Sequence, residues 1–159
     1  MIRFFHKKFL TLDQNLLAEW LIEIAKKEGQ VIKKLEYNFV KAFTLSELNK
    51  KFLNHDTETD ILTFDYSKDN KITAEAFISC EALKENAKEF KQSIENETLR
   101  LISHALLHCA GYTDKEEDEK SLMRIKEDEY IETGKGNSKK KSEQDAAKRA
   151  LIKYCVISE

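Results

Sequence analysis

Two histidines and one aspartate within residues 104–114 have the types and the spacing to bind a metal ion. His104 and His108 are four residues apart, so on a helix their side chains lie on one face with their Cβ atoms close together. Both imidazoles can then reach one ion at ordinary zinc–nitrogen distances. Gly111 is placed to end that helix, and Asp114 follows where it can add an oxygen ligand. The segment therefore predicts a divalent metal site formed by His104, His108 and Asp114.

Two histidines and one carboxylate leave a coordination position open for water, which is typical of catalytic rather than structural zinc. A metal lowers the pKa of such a water and produces a nucleophile near neutral pH. In the opposing interpretation, the histidines are ordinary polar residues and Asp114 caps the next helix. Because His104 and His108 lie in an otherwise apolar helix, burying them without partners would cost free energy. This cost favours the metal, with His104 as a candidate catalytic residue.

A zinc protease is the familiar alternative for two histidines at this spacing. Its motif, H-E-x-x-H, needs a glutamate directly after the first histidine as the general base. That position is Ala105 in this chain. The sequence therefore argues against a metalloprotease of that type.

The composition indicates one compact domain with a charged surface. The chain has 159 residues, of which 41% are hydrophobic and 35% charged, enough for a single core. No apolar run is long enough to span a membrane, and the N-terminus lacks the apolar region of a signal peptide. Cys80, Cys109 and Cys155 show no CxxC spacing, so we expect reduced thiols and a cytoplasmic location.

Hydrophobic periodicity predicts an α+β domain with a small sheet under helices. The predicted strands are 2–5, 31–40, 60–66 and 72–79. The predicted helices are 13–27, 45–53, 81–91, 95–110, 114–130 and 139–155. Thr44 and Glu47 have the spacing of a capping box for the second helix, and Ser138 is placed to cap the last one after a break at 134–137.

The charge is distributed unevenly, which divides the chain into a domain at 1–133 and a basic helical tail at 134–159. From Lys135 onward there are seven Lys and Arg residues against three acids, a net charge of +4, so residues 1–134 carry −6 of the overall −2. A weakly acidic body is not typical of a general nucleic-acid binder. The tail is either a solvated helix or a source of phosphate contacts that the body lacks.

The metal segment resembles the signature H-G-x-L-H-x-x-G-Y-D-H of the YbeY family of bacterial endoribonucleases. In this chain the segment reads His104-Ala-Leu-Leu-His108-Cys-Ala-Gly111-Tyr112-Thr113-Asp114. Leu48-Asn49 and residues 56–64 are similar to the family's L-N-x(2)-[YF] and D-x-P-T-D-V-L-S-F blocks, and residues 75–79 to its G-D-I-x-I-S strand. The resemblance covers about residues 1–132.

This resemblance implies a four-stranded mixed sheet with helices on one side and a zinc ion at the base of a cleft. It implies cleavage of single-stranded RNA, maturation of the 16S rRNA 3′ end and ribosome quality control. The implied partners are rRNA and the ribosome or a ribosomal protein. The family's first two metal histidines fall on His104 and His108.

Three positions depart from the family pattern. The third metal histidine is Asp114 here, a harder ligand that also admits Mn²⁺, Ni²⁺ or Fe²⁺. The family's arginine for RNA phosphate falls on Leu53, which leaves Arg100, His55 or a lysine to replace it; we take Arg100 as the catalytic candidate. The glycine after the first histidine is Ala105. The missing arginine keeps open an alternative function, a non-catalytic, metal-containing ribosome-assembly factor that binds RNA or a ribosomal protein.

The tail resembles the end of a double-stranded-RNA-binding domain, whose pattern G-x-G-x-S-K-K-x-A-E-x-x-A-A-x-x-A-L opens the last helix. The residues that carry this resemblance lie between Gly134 and Leu151. Free N–H groups at a helix start, together with Lys139, Lys140 and Lys141, suit RNA phosphates. The alternative is an amphipathic helix that docks an apolar face on the body.

Overall fold

Four strands and five helices form the part of the chain that the computed structural model describes. The backbone is described for residues 1–5, 12–53 and 59–144, and the side chains for 1–5, 12–52 and 59–132. The elements are β1 (Ile2–Phe5), α1 (Gln14–Lys27), β2 (Val31–Val40), α2 (Ala42–Leu53), β3 (Ile61–Asp65), β4 (Lys71–Ser79), α3 (Cys80–Glu89), α4 (Ile94–Cys109) and α5 (Glu117–Gln144).

The strands form one mixed sheet in the order β1-β2-β4-β3. β1 and β4 both run parallel to β2, while β3 is antiparallel to β4. The predicted α+β class and four-stranded mixed sheet are confirmed. The start of β3 lies beside the end of β4, because Ile61 pairs with Ile78. This pairing brings Asp60, just before β3, to the edge where α3 begins.

The main core lies between one face of the sheet and helices α1 and α4. Leu35, Tyr37 and Phe39 of β2 alternate toward this face and are buried. The Tyr37 hydroxyl donates to the Ile102 carbonyl of α4 at 2.8 Å, which joins sheet and helix inside the core. α2 is the exception to the expected one-sided arrangement. Its Phe52 ring packs edge-to-face with Phe64 of β3. Phe64 lies on the face of the sheet opposite the main core.

The helix boundaries differ most from the prediction in α2 and in α5, which begins at Glu117 and not at 114. α2 begins at Ala42, so the proposed capping box of Thr44 and Glu47 is wrong. The Ala42 N–H instead donates to the Glu81 carboxylate of α3, a partner distant in sequence. α5 continues through 134–137, so the predicted break there is wrong as well. Two glycines in a helix cost only about 1 kcal/mol each relative to alanine, which good helix formers on both sides can offset.

Some predictions concern residues that lie outside the described part of the chain. These are the block at 54–58, which includes His55, and the tail from 145 onward, which includes Cys155. Of the described cysteines, Cys80 and Cys109 are free, and burial raises the pKa of the Cys109 thiol to about 12. None of the described helices has the length and apolar character needed to cross a membrane.

Removing the Tyr37 hydroxyl should weaken the link between sheet and α4. We expect Tyr37→Phe to lower the free energy of unfolding by about 1 kcal/mol, because the Ile102 carbonyl loses a buried donor. Urea denaturation measures this change. Tyr66→Phe is the matched control, since Tyr66 is 61% exposed. Equal stability of the two variants would contradict the prediction.

Candidate metal centre

Helix α4 positions both histidines, and its two ends are fixed by local interactions. At its start the Ser93 side chain accepts from the Asn96 N–H at 3.0 Å, as an N-cap does. At its end Gly111 has a φ of +109°, a conformation that side chains rarely adopt. The Tyr112 N–H returns to the Leu107 carbonyl at 3.0 Å, which completes a Schellman motif. The predicted role of Gly111 as the residue that ends this helix is confirmed.

The turn after Gly111 brings Asp114 back to the two histidines. The Nε2 atoms of His104 and His108 are 3.0 Å apart. Asp114 Oδ2 lies 3.3 Å from the first and 3.4 Å from the second. These three residues are a group that could hold a metal ion. The structure therefore brings together the three residues that the sequence singled out, and their role as metal ligands stays a prediction.

The three ligand atoms fit a small divalent ion. An ion bound tetrahedrally at about 2.0–2.1 Å has donor atoms about 3.3 Å apart, and the three observed separations are close to that edge length. When both rings carry their proton on Nδ1, the two Nε2 lone pairs face each other at 3.0 Å, an arrangement that a cation between them stabilises. Two nitrogens and one carboxylate oxygen are ligands that zinc accepts readily.

The other ring nitrogen of each histidine has its own acceptor. His108 Nδ1 lies 2.9 Å from the Tyr112 carbonyl, which can only accept, so this nitrogen carries the proton and leaves Nε2 free for an ion. His104 Nδ1 lies 2.6 Å from Oε2 of Glu127 in α5. Burial lowers the pKa of His104, but the hydrogen bond and charge of Glu127 outweigh it, so the pKa is raised from its usual 6.5.

Arg100 lies one helical turn before His104 and lines the same cleft. Its guanidinium donates to Glu127 at 2.9 Å and to Asp128 at 2.8 Å. Burial lowers the pKa of Arg100, yet these bonds raise it overall. Glu97 lies 3.8 Å from the guanidinium, and burial raises the pKa of its carboxyl group. The guanidinium is therefore committed to protein carboxylates.

A second set of contacts fastens the turn between α4 and α5. The Tyr112 hydroxyl donates to Glu28 at 2.8 Å, and the Tyr130 hydroxyl donates to the other oxygen of the same carboxylate. Lys126 lies 3.5 Å from Glu28. Burial raises the pKa of Glu28, but the two hydroxyls and Lys126 lower it overall. The end of α1 thus holds the segment that carries Asp114.

An open cleft of about 600 Å³ lies beside the three ligand residues. Its lining includes Asp60, Asn86, Phe90, Gln92, Glu97, Arg100, His104, Asp114, Lys120, Arg124 and Glu127. Asp60 accepts from the Asn86 side chain at 3.0 Å. Lys120 and Arg124 are exposed and one helical turn apart on α5, so both face the cleft. The lining therefore combines buried acids with exposed cations.

The sequence analysis did not single out Glu127, Lys120 and Arg124, which line this cleft with charged groups. A signal for Glu127 was present, because it occupies the buried stripe of α5 between Met123 and Tyr130. An acid on such a stripe needs a partner. No comparable pattern marks the two cations. Lys139, Lys140 and Lys141 lie within α5, and their side chains are outside the described part of the chain.

The fold and these residues together define an α+β protein with a His-His-Asp group in an open cleft. The family model "Endoribonuclease YbeY" matches residues 4–135. A relative of that name from Flavobacterium johnsoniae is 39% identical over 132 residues, 82% of this chain and 95% of the relative. Another, from Cytophaga hutchinsonii, is 43% identical over 129 residues, 79% and 90% of the two chains. The chain belongs to the YbeY endoribonuclease family, which supports an RNA-cleaving role.

Two further comparisons concern the fold and the C-terminal part of the chain. The solution structure of TM1509 from Thermotoga maritima matches with a TM-score of 0.63 and 30% identity, covering 92% of this chain and 97% of the other. The model "Double-stranded RNA binding motif" matches residues 121–154. That match overlaps α5 and the tail, which is where the sequence resembles the end of such a domain.

The raised pKa of His104 predicts a pH dependence of stability in metal-free protein. Because the folded pKa lies above the unfolded one, the protonated ring stabilises the fold fully below about pH 6.5. This contribution disappears as the pH rises through the folded pKa. We therefore expect the stability difference between wild type and His104→Asn to shrink above about pH 6.5. Denaturation in a chelator at several pH values measures it, and a constant difference would refute it.

Proposed function

We propose that this protein is a metal-dependent endoribonuclease that hydrolyses single-stranded RNA and acts in rRNA maturation and ribosome quality control. The observation that carries the proposal is the triangle of His104, His108 and Asp114 ligand atoms at the edge of an open cleft. The names of the relatives supply the reaction class. The 16S rRNA 3′ end as substrate, the ribosome or a ribosomal protein as partner, and the cytoplasm as location come from the sequence resemblance.

In this proposal His104, His108 and Asp114 hold one ion, with zinc as the first candidate and Mn²⁺, Ni²⁺ or Fe²⁺ as alternatives. When bound, such an ion supplies Lewis-acid polarisation of a phosphoryl oxygen and lowers the pKa of a water. The protein supplies the orientation. Both Nδ1 atoms face acceptors, so both Nε2 atoms are directed at the same point. His104 is a catalytic residue in this sense.

The cleft also offers groups for the RNA backbone. Lys120 and Arg124 are exposed on successive turns of α5 and line the cleft together with His104. They can contact phosphates on either side of the bond that is cut. A cleft of about 600 Å³ suits a short piece of one strand, since a duplex presents a broad surface and not a segment that enters a pocket. This pair is our candidate for the role of the arginine missing at Leu53.

The tail is proposed to add RNA affinity through Lys139, Lys140 and Lys141. The match of residues 121–154 to a double-stranded-RNA-binding motif supports this role. The excess of positive charge from Lys135 onward supports it too. The division into a domain at 1–133 and a tail at 134–159 is part of the same proposal.

A non-catalytic assembly factor is the second candidate function. The observation that favours it is the state of Arg100, whose guanidinium is bonded to Glu127 and Asp128 and does not point freely into the cleft. With Arg100 engaged by protein carboxylates, the chain could bind RNA or a ribosomal protein without cutting RNA. The sequence-based assignment of Arg100 to catalysis stays a prediction.

Metal content and RNA cleavage test the two candidates together. We expect purified wild type to bind about one zinc per chain and to cut single-stranded RNA, because three ligands converge on one point. His108→Ala should lose the metal, and its cleavage rate should fall more than about 100-fold, beyond the 10–100-fold typical of outer partners. Asp118→Asn, an exposed acid in the first turn of α5, is the control. Wild type without metal would sink the proposal, whereas metal without cleavage would favour the assembly factor.

Salt dependence of RNA binding tests the cations. We expect Lys120→Ala with Arg124→Ala to weaken binding of single-stranded RNA and to reduce the slope of log K against log salt by about 0.7 per lost contact. The triple alanine variant of Lys139, Lys140 and Lys141 should also weaken RNA binding and reduce the slope by about 0.7 per lost contact. Titrations in a chelator prevent cleavage. Lys68→Ala with Lys71→Ala is the control, because these exposed lysines lie at the other end of β3 and β4 from the cleft. An unchanged slope in either variant would show that the substituted residues do not contact the RNA.

A further inference from the structure

Glu127 is the buried carboxylate closest to the metal centre that is not itself one of the three ligands. Only 4% of its surface is exposed, although it lies on a helix rich in solvated acids. Its two oxygens are used differently. Oε2 lies 2.6 Å from His104 Nδ1, and Oε1 lies 2.9 Å from Arg100 Nη1. Burying a carboxylate is costly unless it is paired, so this position requires both partners.

We propose that Glu127 is a positioning residue that fixes the ring orientation and the tautomer of His104 for metal binding, and that Arg100 acts by holding Glu127. The inference rests on the proposed metal centre. It assigns Arg100 a role inside the protein and not on the RNA.

The chemistry of the His104 ring explains why the position of the proton matters. A neutral imidazole carries one N–H, and only the nitrogen without it can ligate an ion. Glu127 accepts at Nδ1, so the proton stays there and the Nε2 lone pair faces Asp114 and His108. A carboxylate in this position also makes the ring a stronger ligand. At His108 the backbone carbonyl of Tyr112 accepts from Nδ1, so no side chain is needed to fix that tautomer.

Arg100 determines where Glu127 can lie. Its guanidinium bridges Glu127 and Asp128 through Nη1 and Nη2, which leaves Oε2 of Glu127 for the histidine. Asp128 is 54% exposed and does not touch His104. The two neighbouring acids therefore share one partner, but only one of them reaches the metal centre. This difference provides a matched control.

Glu127→Gln is the informative variant because it keeps the size of the side chain. Arg100 and His104 bond to different oxygens of Glu127, and in glutamine one of these two atoms is replaced by an NH₂ group, which cannot accept. When the oxygen accepts from Arg100, the amide NH₂ faces His104 Nδ1 and favours the tautomer with the proton on Nε2. That tautomer blocks the ligand atom. We therefore expect about 10–100-fold weaker zinc affinity in Glu127→Gln, measured by chelator competition, and little change in Asp128→Asn.

The role of Arg100 is tested by combining substitutions. We expect Arg100→Gln to weaken zinc binding in wild type but to add little in the Glu127→Gln background, because the effect passes through Glu127. If Arg100 instead contacted an RNA phosphate, Arg100→Gln would lower the affinity for RNA and leave the affinity for zinc unchanged. That second result would overturn the assignment of Arg100.

Two readouts separate positioning from a merely structural effect. The melting temperature of metal-free protein reports on packing, and ¹⁵N chemical shifts of the His104 ring report which nitrogen carries the proton. The proposal expects the proton to move toward Nε2 in Glu127→Gln. Equal zinc affinities and an unmoved proton in Glu127→Gln and Asp128→Asn would overturn it while leaving the metal centre intact. A wild type that binds no zinc would overturn the metal centre itself, and this inference with it.

Discussion

Two imidazole rings on a buried helix impose the constraint on which the site depends. Ten residues of α4 are buried, and each histidine in that helix has two ring nitrogens that need partners. The carbonyl after Gly111 satisfies one ring and Glu127 of α5 satisfies the other. The remaining nitrogens face each other and Asp114. The turn and α5 therefore each supply an acceptor that a histidine on this helix needs.

The electrostatics of the cleft set a second condition. Asp60, Glu97, Asp114 and Glu127 line it, and residues 1–134 carry a net charge of −6. A polyanion such as RNA would be repelled by these acids alone. Arg100 neutralises part of this charge from inside, and an ion at the three ligands would neutralise more. Attraction must then come from cations at the rim and in the tail, and it should be sensitive to ionic strength.

The sequence was a good guide where local rules decide the structure. The strand bounds at 2–5 and 31–40 match the prediction. Gly111 ends the helix that carries His104 and His108, as predicted, and the chain then turns back to bring Asp114 beside them. The sequence-based prediction failed where the hydrogen-bond partner is distant in the sequence. The cap of α2 comes from Glu81, and the acceptor of His104 comes from α5, 23 residues away. The break expected at 134–137 also failed, because glycine is only mildly unfavourable in a helix.

The continuity of α5 has a geometric consequence. At 1.5 Å per residue its 28 residues extend about 42 Å, and Arg124 and Lys140 are about 24 Å apart along one axis. A flexible linker would let the two basic regions move independently and search for separate RNA segments. A helix instead holds them at one separation and in one angular relation. An RNA that contacts both Arg124 and Lys140 would therefore have its two contact points held about 24 Å apart by the helix.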